Sequence, residues 1–139
     1  MLQFVHHVHY VVADRDEMMA YLEKNFGMKP NEVLHHKERQ IKEALYKVGP
    51  TIIQISQPLD PNSGQGKFLA EKGPGVLHVA WGVNGIDQVG KDLAAKGNRL
   101  RNDSITNSPL GYKAINIDRD QTCGIWLQLA EGEPKLKKT

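Results

Sequence analysis

The first apolar run, Phe4 to Ala13, is rich in valine and aromatics and stops at Asp14-Arg15-Asp16, which predicts a strand leading into a helix capped by Asp14 or Asp16. Apolar residues then fall at Met18, Met19, Tyr21, Leu22 and Phe26, a helical spacing that ends at Gly27. The methionine pair reads as core filler. Beyond Pro30, three short stretches have strand character: Val33 to His36, Ala44 to Val48 and Thr51 to Ser56, the last two joined by a Gly49-Pro50 turn. Residues 58–75 are rich in Pro, Gly, Ser and Asn, broken only by Phe68-Leu69, and read as a linker with room for one helical turn. The pattern then restarts. Val76 to Val83 predicts a strand and Ile86 to Lys96 a helix closed by Gly97. Arg99 to Leu100, Tyr112 to Ile117 and Gly124 to Ala130 predict three further strands.

The chain therefore reads as strand, helix and three strands, written twice: module one at about 4–57, a linker at 58–75, module two at 76–130 and a tail at 131–139. Superposing the modules puts His7-Val8 and Val12 onto His78-Val79 and Val83, and Gln54 onto Gln128. The offsets are 78 − 7 = 71 for the histidines and 128 − 54 = 74 for the glutamines, a drift of three residues.

Composition narrows the class without naming it. A chain of 139 residues can bury one core but not two independent ones, so a single domain is expected. The hydrophobic share of 40% and charged share of 24% are a globular balance, and a net charge of +2 argues against nucleic-acid or membrane partners. Lys135, Lys137 and Lys138 read as a solvated tail. Cys123 is the sole cysteine, so no disulfide can form within the chain and a cytosolic setting is expected. No apolar run is long enough for a signal or a membrane span, which gives the expectation of a soluble, unprocessed protein.

Because a strand alternates its faces, a polar residue between apolar neighbours points away from them. Gln54, His78 and Gln128 have that setting on both sides, and His7 has it beside Val8. A lone His or Gln on a strand is usually a hydrogen-bonded or solvent-facing residue; recurrence at equivalent places in both modules is what singles out these four. If the modules pair about a pseudo-twofold axis, two imidazoles and two amide oxygens meet on one concave face. Such donors suit a divalent first-row ion, and Co, Zn, Ni, Mn and Fe all remain open.

These residues, with Ile53-Gln54-Ile55-Ser56-Gln57-Pro58-Leu59-Asp60-Pro61, Lys67-Phe68-Leu69 before Gly73, Leu77-His78-Val79-Ala80-Trp81 and Gly85-Ile86-Asp87, match a known pattern from about Phe4 to Ala130. The chain resembles the methylmalonyl-CoA epimerases of the vicinal oxygen chelate (glyoxalase, bleomycin resistance, dioxygenase) superfamily. The resemblance implies an α+β fold of two βαβββ modules paired by pseudo-twofold symmetry, with a mixed sheet forming a concave metal and substrate site. It implies a homodimer, a small-molecule substrate of the acyl-CoA kind, and a divalent metal held by His7, Gln54, His78 and the residue at position 128. It also places a base, Glu43, on the third strand. The implied chemistry is removal of a proton alpha to a thioester carbonyl, with the metal stabilising the enolate.

Two residues depart from the family pattern. Gln128 stands where a glutamate ligand is expected; an amide cannot take and return a proton as a carboxylate does, and its neutrality weakens metal binding while leaving the ion a stronger Lewis acid. His9 stands where a small residue is usual, on the same strand face as His7, and reads either as an added ligand or acid/base group or as a satisfied hydrogen-bonding histidine. Three functions remain open: an epimerase in which His9 serves the second face, a one-base isomerase or glyoxalase-like lyase on another substrate, and a small-molecule binding protein of the resistance type.

Overall fold

A computed structural model describes residues 1–101, 104–134 and 136; the lysines at 135, 137 and 138 lie outside the described residues. The elements run β1 (Phe4–Val11), α1 (Arg15–Phe26), β2 (Glu32–His36), β3 (Ile41–Val48), β4 (Thr51–Pro58), α2 (Gly64–Lys72), β5 (Gly75–Gly82), α3 (Ile86–Ala95), β6 (Thr106–Asn107), β7 (Lys113–Ile117) and β8 (Leu127–Glu131). Apart from α2, this is the βαβββ order repeated, and the fold is α+β as expected.

The chain packs as two compact units, and the division falls inside strands: Val8–Leu77 form one, Met1–His7 with His78–Leu136 the other. In the first, β2, β3 and β4 are antiparallel neighbours with the Val8–Val11 half of β1 beside β4. Asp14 caps α1, its carboxylate accepting from the Glu17 amide at 3.0 Å, and Gly27 closes it at a left-handed φ of 64°. Asp16 instead pairs with Arg15. The buried Arg15 guanidinium donates to the carbonyls of Leu34 and Glu43, at 2.9 and 3.2 Å, and so ties the start of α1 to the sheet. The core of this unit is Ala44, Tyr46 and Ile55, covered by Met18, Met19, Leu22 and Met28.

In the second unit, β5 runs parallel to β8, and β8, β7 and β6 are antiparallel neighbours. Helix α3 buries Ile86 and Val89 against Val83, Ile115, Ile117 and Leu129, each fully buried aliphatic being worth about 1.5–3 kcal/mol of transfer free energy. Its N-terminus has no side chain at the cap, Gly85 sitting at φ 70°; the Ile86 amide donates to the Glu131 carboxylate at 2.8 Å instead.

Three expectations are corrected. Residues 64–72 form a nine-residue helix, not one turn in a linker: Ser63 caps it by accepting from the Gly66 amide at 3.0 Å, and the glycines in its first turn mask it by composition. Arg99 to Leu100 is no strand, Leu100 making only an isolated bridge to Ile117, whereas Thr106–Asn107 pairs with β7. The last strand begins at Leu127 and not Gly124, because Cys123 and Gly124 turn the chain with φ of 57° and 85°.

Candidate functional site

Each unit carries a cluster of buried polar side chains. In the unit containing β5 and β8, His7 Nε2 lies 3.1 Å from His78 Nε2, both rings being buried. Two nitrogen ligands about 2.0–2.1 Å from one ion, at 90–109° to each other, stand about 2.8–3.4 Å apart. The pair therefore fits the edge of a coordination shell. Both rings lean on aromatics, His7 on Tyr112 at 5.3 Å between centroids and His78 on Trp126 at 4.3 Å. Burial pushes the His7 pKa from 6.5 down to about 3, with the His78 and His6 imidazoles adding repulsion and Gln128 offsetting a little of it. A neutral imidazole is the form that ligates a metal.

Gln128 joins this cluster. Trp126 Nε1–H can only donate, and it donates to Asn116 Oδ1 at 2.8 Å, so Asn116 presents its oxygen there. Gln128 must then turn its NH2 to the same oxygen, which it does at 2.9 Å. Its own Oε1 is left buried with no hydrogen bond of good geometry among the described residues, an arrangement a metal or substrate donor would complete.

In the other unit, β3 and β4 pair Glu43 with Ser56 and Leu45 with Gln54, which brings Glu43, Ser56 and Gln54 to one face of the sheet while Ile53 and Ile55 take the other. Gln54 Nε2 donates to Glu43 Oε1 at 3.1 Å and Ser56 Oγ to the same oxygen at 3.4 Å; His36 Nε2 lies 3.3 Å from Oε2. The carboxylate is 2% exposed, and these partners offset the cost of burying its charge. With its amide nitrogen committed to Glu43, Gln54 turns its carbonyl oxygen away from that carboxylate. His9 Nε2 meets Ser56 Oγ at 2.8 Å, so His9 reaches Glu43 through that hydroxyl.

Of the residues expected from sequence, His7, His78 and Gln128 thus gather in one unit, and Glu43, Gln54 and His9 in the other. Ser56, His36 and Asn116 were not foreseen. Ser56 and Asn116 were findable in principle, each being a cross-strand partner of an expected residue once the register is known. Among the described residues no three carboxylate, thiolate or imidazole groups are placed to hold one metal ion, so any ion here would depend on amide oxygen as well as imidazole.

The family model for the Glyoxalase/Bleomycin resistance protein/Dioxygenase superfamily matches residues 6–114, and the chain belongs to that superfamily. No curated protein matches the chain. Among solved structures it is similar to the methylmalonyl-CoA epimerase of Mycobacterium tuberculosis, with 27% identity over 96% of this chain and 90% of that one and a TM-score of 0.84. A selenomethionine form of methylmalonyl-CoA epimerase is 26% identical over 97% and 98% of the two chains, also at 0.84. An epimerase solved with methylmalonyl-CoA and NH4+ shares the fold at 22% identity, covering 99% of this chain and all of that one, with a TM-score of 0.84.

Proposed function

We propose that the chain is a metal-dependent isomerase of the epimerase type, which removes the proton alpha to the thioester carbonyl of an acyl-CoA such as methylmalonyl-CoA. The observation that carries this reading is the pair of buried imidazoles whose Nε2 atoms stand 3.1 Å apart, the spacing of two ligands on one ion. The likeness to epimerases at 26–27% identity supports it. His7 and His78 would ligate through Nε2 and Gln128 through Oε1, and the family pattern adds Gln54 through its Oε1. A divalent ion held there would supply Lewis-acid polarisation of substrate oxygens.

Glu43 is the base in this reading. Ser56 and Gln54 hold one of its oxygens and His36 the other, so the carboxylate cannot swing, and His9 holds the Ser56 hydroxyl in place from behind. In this reading His9 acts on Glu43 through the Ser56 hydroxyl. Gln128 cannot return a proton, so exchange of the α-proton at one face outruns inversion. The same reading carries a homodimer in the cytosol, and light scattering checks the assembly.

The test is α-proton exchange of methylmalonyl-CoA in D2O followed by NMR, with metal content measured on the same protein. Glu43→Gln should slow exchange at least about 100-fold. Exchange that survives this change intact would remove Glu43 from the mechanism.

A second reading, sequestration of a small apolar molecule, has one observation in its favour. Within the Val8–Leu77 unit a cavity of about 520 Å³ lies on the sheet face opposite Glu43, lined by Val12, Leu22, Met28, Ile53 and Tyr46, whose buried hydroxyl has no hydrogen-bond partner. Metal at one equivalent together with solvent exchange at a substrate α-carbon would sink it.

A further inference from the structure

We infer that His6, a residue outside the ligand set, is a positioning residue that fixes the ring tautomer of His7 and so aims the Nε2 lone pair of His7 outward. The tautomer follows from geometry; its use in holding a metal rests on the functional reading above.

The chain of reasoning begins at a carbonyl. His6 Nε2 lies 2.7 Å from the backbone oxygen of Gly132, which can only accept, so the proton is on His6 Nε2. His6 is 3% exposed and its ring packs against Tyr112 at 4.9 Å between centroids. Such burial disfavours a charged imidazolium. A neutral imidazole carries one N–H, so His6 Nδ1 is a bare lone pair. His7 Nδ1 stands 2.8 Å from it, and two lone pairs cannot face each other at that distance. The proton between them belongs to His7 Nδ1. His7, only 2% exposed, is disfavoured as a charged ring for the same reason, which leaves its Nε2 as the lone pair, on the side where His78 lies.

The opposite assignment, with His7 protonated at Nε2, requires Gly132 to release the His6 proton or His6 to carry a charge in a buried site. Neither fits. Gly132, the residue that offers the carbonyl, has φ 101°, a conformation that favours glycine. Metal-binding histidines commonly donate their second N–H to a carboxylate or a carbonyl. Here an imidazole takes that place and is in turn fixed by a carbonyl, which sets the tautomer without adding negative charge.

Two variants and two readouts test this. In metal-free protein with 15N-labelled histidine at neutral pH, long-range 1H–15N spectra should show His7 with a pyridine-like Nε2 and a pyrrole-like Nδ1, and His6 with a pyridine-like Nδ1. His6→Phe keeps the ring packing on Tyr112 but removes the acceptor; the His7 tautomer should lose its bias and Co(II) affinity, read by calorimetry, should fall about 10–100-fold. His6→Gln, whose Oε1 can accept from His7, should recover most of both, which a merely destabilising change would not. A wild-type His7 protonated at Nε2, or a His6→Phe spectrum with the His7 tautomer unmoved, overturns the inference. The expected tautomers in a wild type that binds no Co(II) would uphold the relay and sink the metal reading instead.

Discussion

His7 makes the metal-free protein acid-sensitive. In the folded chain burial, joined by the His78 and His6 imidazoles, lowers its pKa from 6.5 to about 3, while in the unfolded chain it keeps the ordinary value. As pH falls below 6.5 the unfolded chain takes up a proton that the folded chain refuses, so the stability present above 6.5 is lost progressively until the folded ring protonates near 3. Between about pH 7 and about pH 5 this linkage costs about 2 kcal/mol from His7 alone, and the depression at His6 acts in the same sense. At a urea slope of roughly 2 kcal/mol per molar, the midpoint should fall by about 1 M. Urea titrations followed by circular dichroism, in the presence of a chelator, should be run across this window on the wild type and on His7→Phe, which keeps an aromatic ring there but has nothing to titrate. The wild type should lose about 2 kcal/mol more than the variant, because the carboxylates and remaining histidines contribute to both. Parallel losses in the two proteins would show that burial does not hold His7 neutral and would refute the reasoning.

Three further changes probe other parts of the molecule. Gly66→Ala places a Cβ 2.1 Å from the Asp60 carbonyl oxygen and 2.9 Å from Pro61 Cα, so the start of α2 must shift; thermal melting should show a loss of about 2–4 kcal/mol, and an unchanged melt would mean that this turn is not built as described. Asn116→Leu leaves the Trp126 and Gln128 N–H groups without their acceptor and should destabilise by about 1–3 kcal/mol for each group left buried, measured by denaturant unfolding. Gln128→Glu restores a charge beside the imidazole pair and should raise Co(II) affinity roughly tenfold, the worth of one close charge pair at a partly solvated site; calorimetry on the two proteins decides it.

How far the sequence reaches is clear from particular residues. His7 and His78 were legible as a pair because each precedes a valine in a strand and recurs at the same place in a repeated unit, and strand alternation then puts them on equivalent faces. Asp14 and Gly27 were legible as caps because cap chemistry is local. Helix α2 was not, because Gly64 and Gly66 carry a loop signature while the contact that demands Gly66, to the Asp60 backbone, exists only after folding. Nor was the role of His9: its alternation was readable, but its bond to Ser56, 47 residues away, depends on the pairing of strands. His6 was passed over because sequence alone gives no sign that the Gly132 carbonyl meets its ring.

Amide orientation is the step that no reading of the sequence could supply, and it bears on what the site can do. A glutamine offers a donor and an acceptor, and only its partner decides which end is left for a ligand. At Gln54 the decision falls to the Glu43 carboxylate, which accepts and cannot donate while ionised. At Gln128 it falls to Asn116, whose own oxygen is fixed by an indole that can only donate. Different chemistry in the two units therefore gives the same result, an amide oxygen turned away from its support. The difference lies in charge. The Gln54 cluster contains a carboxylate, whereas His7, His78 and Gln128 bring no charge of their own. Whatever affinity these three would lend a cation would rest on neutral donors, so a group that fixes one of them, as His6 would fix His7, matters more there than beside a charged ligand.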